Sequence, residues 1–234
     1  MWFLAALAVT AAGPAPDPAV YRCAVYTTGT DQRDRPAAFQ RCVRDVIAKL
    51  GADPALLDAP LLPAGRAATM IDSFAYLDRM TDQPTHDEQG TRDRPFILVA
   101  LVRPDAAADM LAAMGHPAWT TPRPILSVEA TVQRGPDQFR VTDDGDRGER
   151  QRQAALAAGE RSAIRIVLPP QGSPALLGSL AGALIWSEAD FGWNADWTCG
   201  TRSWSIRSVS FDEAFRAAVG GAVAALANSP STPH

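Results

Sequence analysis

The densest run of chemistry-bearing side chains is His86-Asp-Glu-Gln-Gly-Thr-Arg-Asp-Arg-Pro95, which holds one of only three histidines in 234 residues. An imidazole among carboxylates can ligate a metal or carry a proton near neutral pH. His86 with Asp87 or Glu88 is the candidate for either role. Neighbouring loop residues rarely converge on one ion, and the H-E-x-x-H spacing that sets two histidines on one helical face is absent. The competing reading is an ion-paired connection in which Arg92 and Arg94 hold Asp87, Glu88 or Asp93. That is the expectation here, with a modest binding role at most.

A second set is aromatic: Trp186, Trp193, Trp197 and Trp204. Gly200-Thr201 suits a two-residue hairpin loop that places Trp197 opposite Trp204, and a period of two puts Trp193, Trp197 and Cys199 on one face. Two readings follow. Trp193, Trp197 and Trp204 form an exposed platform for a sugar or a partner, or they form the core face of a sheet under the C-terminal helix. The second is expected. Asp143-Asp144-Gly145-Asp146 invites a calcium reading but has Gly148 where a third oxygen ligand is needed, so a turn is expected. There is no G-x-S-x-G elbow, no Walker loop and no G-x-G-x-x-G. No catalytic residue, metal ligand set or cofactor is assigned.

Helices and strands must position these groups. The chain is 47% hydrophobic and 21% charged, with a net charge of −4. That composition is globular, and the acidic balance argues against a general nucleic-acid binder. Phe39, Cys42, Val43, Val46, Ile47 and Leu50 recur at helical spacing after Pro36. Short helices follow at Asp53-Pro54 and at residues 66–71. Strands are read at 20–27, 73–77 and 96–102; the continuous apolar run of the last suits a central strand buried on both faces. Asp105 is placed as the cap of a helix over 106–114. Gly115, Pro117, Pro122 and Pro124 mark a boundary. Beyond it come strands at 125–132 and 139–142, a helix over 148–158, a strand at 164–168 and a short helix opened by Ser173 and Pro174. A meander over 183–188, 192–199 and 202–209 follows. Ser210 and Glu213 make a capping box for the last helix, where Gly220-Gly221 would allow close helix–sheet contact. The fold class is α/β in the α+β sense. Two small domains, 19–116 and 117–228, are each expected to hold a mostly antiparallel or mixed sheet with helices on one or both faces. Residues 229–234 form a frayed tail.

Residues 1–13 are apolar or small, too few to span a bilayer, and prolines follow at 14, 16 and 18. This reads as an export signal and joint over 1–18, with no transmembrane span in the mature chain. Export permits a disulfide. Cys23 lies on the first strand and Cys42 on the apolar face of the first helix, so the two can meet; the alternative is two buried thiols. Cys199 is left over.

The strings Tyr21-Arg-Cys-Ala-Val-Tyr-Thr-Thr-Gly-Thr30, Phe39-Gln-Arg-Cys-Val-Arg-Asp-Val-Ile-Ala-Lys49 and Phe74-Ala-Tyr-Leu-Asp-Arg-Met80 stand out. So do His86 to Pro95, Trp119 with Arg123-Pro124, Trp186-Ser-Glu, Gly192-Trp193, Ala195-Asp-Trp197 and Val209-Ser-Phe-Asp-Glu-Ala-Phe-Arg216. Together they resemble bacterial proteins with domain of unknown function 2066, over nearly the whole chain after the signal. The resemblance implies an exported, envelope-associated protein and supplies no catalytic residues. The function expected is a non-enzymatic periplasmic or secreted binding or scaffold module, whose partner is an envelope protein or cell-wall component. The alternative is a periplasmic hydrolase or metal-dependent enzyme built around His86–Arg94.

Overall fold

Asp17 accepts a hydrogen bond from the Ala19 N–H and opens a single helical turn, α1 (Pro18–Tyr21). The computed structural model describes residues 17–79, 86–87, 90–91, 95–119, 122–174 and 179–228. The expected signal segment before Asp17, the tail and the short helix after Pro174 lie outside the described residues. Strand β1 (Arg22–Thr27) leads to α2 (Arg35–Gly51), whose Phe39, Cys42, Val43, Val46, Ile47 and Leu50 are all buried. The helix stops at Ala52, which is left-handed at φ 51°. A 3-10 turn (Pro54–Asp58) follows, opened by Asp53, whose carboxylate accepts the Ala55 N–H. Then come α3 (Ala64–Met70), β2 (Ile71–Asp78), the two-residue strands β3 (His86–Asp87) and β4 (Gly90–Thr91), β5 (Phe96–Val102) and α4 (Pro104–Ala113). Asp105 is not the cap of α4. Arg103 holds that position and Pro104 occupies the first turn, where its missing N–H costs nothing.

Strands β1, β5 and β2 form an antiparallel sheet with β5 in the centre. Leu98, Ala100 and Val102 are buried, whereas Ile97, Val99 and Leu101 are only half-buried. Strand β5 is therefore covered on one face, not two. The helical layer of α2 and α4 packs on that face alone, and the other carries exposed Tyr26 and Leu77.

The second half begins with the hairpin β6 (Leu126–Arg134) and β7 (Asp137–Arg140), followed by α5 (Glu149–Arg161). Strand β8 covers only Ile166–Val167 of the expected 164–168, and Pro169 and Pro170 keep it from running on. Strands β9 (Leu180–Ser187), β10 (Gly192–Cys199) and β11 (Arg202–Val209) are the antiparallel meander, and α6 (Phe211–Ala227) closes the chain. The order is β11-β10-β9-β6-β7, with β6 parallel to β9 and with β8 parallel to the start of β6. The capping box is complete: Ser210 Oγ accepts the Glu213 N–H, and Glu213 accepts the Ser210 N–H. Helices α5 and α6 cover one face of this sheet. The molecule is an α+β fold with two cores, and no helix among the described residues is long and apolar enough to cross a membrane.

Candidate functional site

The tryptophans sit where the meander puts them. Trp197 pairs with Trp204 across β10 and β11, as the hairpin spacing predicts. An exposed platform is not what results. Trp197 is buried against Phe215 of α6, ring centroids 5.6 Å apart, and Trp204 packs into the same core. The indole N–H groups of Trp186, Trp197 and Trp204 are buried without an acceptor among the described residues. Two glycines make room: a Cβ at Gly182 would lie 2.3 Å from the Trp197 ring, and one at Gly221 would lie 2.5 Å from that of Trp204. Trp193 is half-buried and meets Trp186 edge to face at 5.4 Å. The outer face of this sheet is polar instead, with Asp196 accepting from Ser205 Oγ and from the Arg207 guanidinium. Those donors hold the Asp196 carboxyl below the usual range.

The backbone of His86 pairs with Thr91 and that of Asp87 with Gly90, a small hairpin between β2 and β5. Glu88, Arg92, Asp93 and Arg94 lie outside the described residues, as do all contacts of the His86 and Asp87 side chains. Cys23 and Cys42 are joined by a disulfide that ties β1 to α2, with Cα atoms 5.3 Å apart. Cys199 is a free, buried thiol, and burial pushes its pKa up.

The described concavity with the most developed chemistry lies at the seam between the two cores. It is a cleft of about 370 Å³ lined by five elements: α2, the 3-10 turn, α5, β11 and α6. Its apolar surface comes from residues such as Ala48, Pro54, Leu57, Ala217 and Val223. Lys49 is buried on the α2 side, ion-paired to Asp45 at 2.9 Å and donating to the Arg22 carbonyl at 2.7 Å. On the α6 side Glu213 is held below the usual carboxylate range by the Ser210 N–H and hydroxyl, with Arg216 4.0 Å away.

Arg123 bridges the seam. Arg123 donates to the Lys49 carbonyl near the end of α2 and to the Ser162 carbonyl at the end of α5, the latter at 2.5 Å. Its guanidinium stacks on Trp119, 4.5 Å from the ring centroid, and the Trp119 N–H donates to the Leu50 carbonyl. Both carbonyls lie at helix C-terminal ends, where the aligned peptide dipoles leave partial negative charge that a cation neutralises. Burial lowers the Arg123 pKa to about 10 and raises that of neighbouring Tyr21. The cores also exchange side chains here: Ala52 belongs to the second and Ala163 to the first.

No family model, curated protein or solved structure matches the chain.

The cleft escapes a reading of the sequence because its lining is drawn from five separate elements and consists of common apolar and charged residues with no motif. The signals that exist are indirect: the Asp45–Lys49 spacing of four, the capping box and the Gly220-Gly221 pair.

Proposed function

We propose that this chain is an exported, envelope-associated protein of the family its sequence resembles, acting as a non-enzymatic binding module through the cleft between its two cores. The observation that carries the reading is the cleft itself. Small-molecule sites favour seams between packed units, with mostly apolar walls and a few polar groups that fix orientation. Here apolar residues from several elements line the cleft, and most charged groups around it are engaged in holding the fold. Asp45 neutralises Lys49, Asp53 caps the 3-10 turn and Glu213 caps α6. Side chains committed in this way suit recognition better than proton transfer. The Cys23–Cys42 disulfide supports an oxidising compartment. The hydrolase or metal-enzyme alternative rests on side chains outside the described residues, and no observation favours it.

Fractionation tests the compartment. The chain should be recovered from the periplasm or medium with Cys23 and Cys42 oxidised; a reduced, cytosolic chain would end the export reading. Native mass spectrometry of protein taken from its own cells tests the site. A bound small molecule should be present and should disappear in Ala217→Trp, which fills the cleft. Retention of the adduct by that variant would place binding elsewhere.

A further inference from the structure

The charges around the cleft are not evenly spread. The wall contributed by α2 and the 3-10 turn carries Asp45, Asp53 and Asp58 against one cation, Lys49. The wall contributed by α5 and α6 carries Arg161 and Arg216 against one anion, Glu213. Most of these groups find partners on their own wall. Asp45 pairs with Lys49, Asp53 accepts the Ala55 N–H and lies 3.9 Å from His116, and Arg216 lies 4.0 Å from Glu213. Two remain. Asp58 on the first wall and Arg161 on the second make no hydrogen bond or ion pair among the described residues.

A ligand seated against both groups displaces part of their water, and an ionised group that loses water without a new partner is penalised. That cost discriminates between ligand classes. A neutral apolar molecule would satisfy neither charge. A simple organic anion would satisfy Arg161 but meet a lining with four acidic side chains against three basic ones. A simple cation would satisfy Asp58 and leave Arg161 unpaired. A zwitterion can satisfy both, and its apolar side chain can lie on the apolar lining that Leu57, Ala217 and Val223 contribute to the same cleft. The volume, about 370 Å³, falls within the usual range for small-ligand sites.

From this we propose that the cleft binds an apolar amino acid or short apolar peptide in its zwitterionic form, the ammonium group facing Asp58 and the carboxylate facing Arg161. The proposal rests on the cleft being the binding site of the preceding subsection.

Calorimetric titration of the oxidised chain tests it with four probes: L-leucine, L-leucyl-L-leucine, N-acetyl-L-leucinamide and decanoate. At least one of the two zwitterions should bind with saturable heat, and the other two probes should not. Asp58→Asn and Arg161→Gln should each weaken that binding about tenfold, the worth of one charge-assisted hydrogen bond. Both side chains are exposed, so these variants should melt with the parent, and they carry the test if Ala217→Trp fails to fold. Equal binding of N-acetyl-L-leucinamide, or binding of decanoate alone, would overturn the zwitterion class while leaving the cleft as the site. Heat from a zwitterion that is unchanged in Asp58→Asn and Arg161→Gln would also overturn the class. If none of the four probes binds, the zwitterion class falls, and the native adduct lost in Ala217→Trp then decides the module reading separately.

Discussion

The disulfide acts mainly on the unfolded chain. Cys23 and Cys42 are 19 residues apart, and closing a loop of that length removes on the order of 3 kcal/mol of chain entropy from the denatured state. Cys42→Ala in the chain should therefore lower stability by about 3 kcal/mol in urea titrations. Oxidised protein unfolded in denaturant should titrate as one thiol, belonging to Cys199; three thiols would remove the bridge from the account. Cys199 itself gives a pH test. Its folded pKa is raised by burial, so the unfolded chain loses this proton first as pH rises. Stability from this group is complete below the ordinary thiol pKa, about 8.5, and is lost as pH climbs from there towards the folded value. Cys199→Ala should accordingly lose less stability than the parent between pH 8 and pH 10. Parallel curves would show that the thiol is not held protonated.

At the scale of elements, α6 is where local preference and packing collide. Replacing glycine by alanine inside a helix gains about 1 kcal/mol of propensity. At Gly220 a Cβ would meet Pro54 at 3.4 Å, ordinary contact, so Gly220→Ala should be neutral or stabilising. At Gly221 the same Cβ would lie 2.5 Å from the Trp204 ring, and forcing a packed core apart costs about 1–3 kcal/mol. The clash wins, and Gly221→Ala should melt below the parent; the opposite order of the two variants would refute the close packing. The capping box makes a second test. Ser210→Ala should cost about 1 kcal/mol. Glu213 has a depressed folded pKa, so its contribution is present above the ordinary carboxylate value of about 4.3 and is lost as pH falls through the folded value. The melting-temperature gap between the parent and Glu213→Gln should therefore close as the pH is taken below 4.

Two cores that share a seam raise the question of cooperativity. Arg123 binds the ends of α2 and α5 at once, and Ala52 and Ala163 each sit in the opposite core. Coupling through these few groups should make the chain unfold in one transition. In Arg123→Ala two helix-end carbonyls lose a charged donor, at a cost of about 1–3 kcal/mol. That variant should show a lower urea m-value or two resolved steps, because partial unfolding exposes less surface at a time. A shift of midpoint at constant m would mean that Arg123 stabilises without coupling the halves. The binding proposals belong to this scale too, since the cleft exists only while both halves are folded against each other.

Period and punctuation are local, and what depends on them was legible in the residues. The heptad-like spacing from Phe39 to Leu50 marks α2, Gly200-Thr201 sets Trp197 opposite Trp204, and Ser210 with Glu213 starts α6 at the observed residue. The α+β class follows from the order of these elements, and the Cys23–Cys42 pairing was open because a strand and its following helix usually pack together. Other features depend on what the rest of the chain supplies. Residues 96–102 are as apolar as a strand buried twice, yet only one helical layer was available, so one face stays open. The tryptophans allowed a platform or, as expected, a core; α6 and two missing Cβ atoms bury Trp197 and let Trp204 pack against the same core. The cleft was invisible for the strongest reason. Asp58 and Arg161 are 103 positions apart in the sequence, and no local pattern encodes a distance that only the packing of two cores creates.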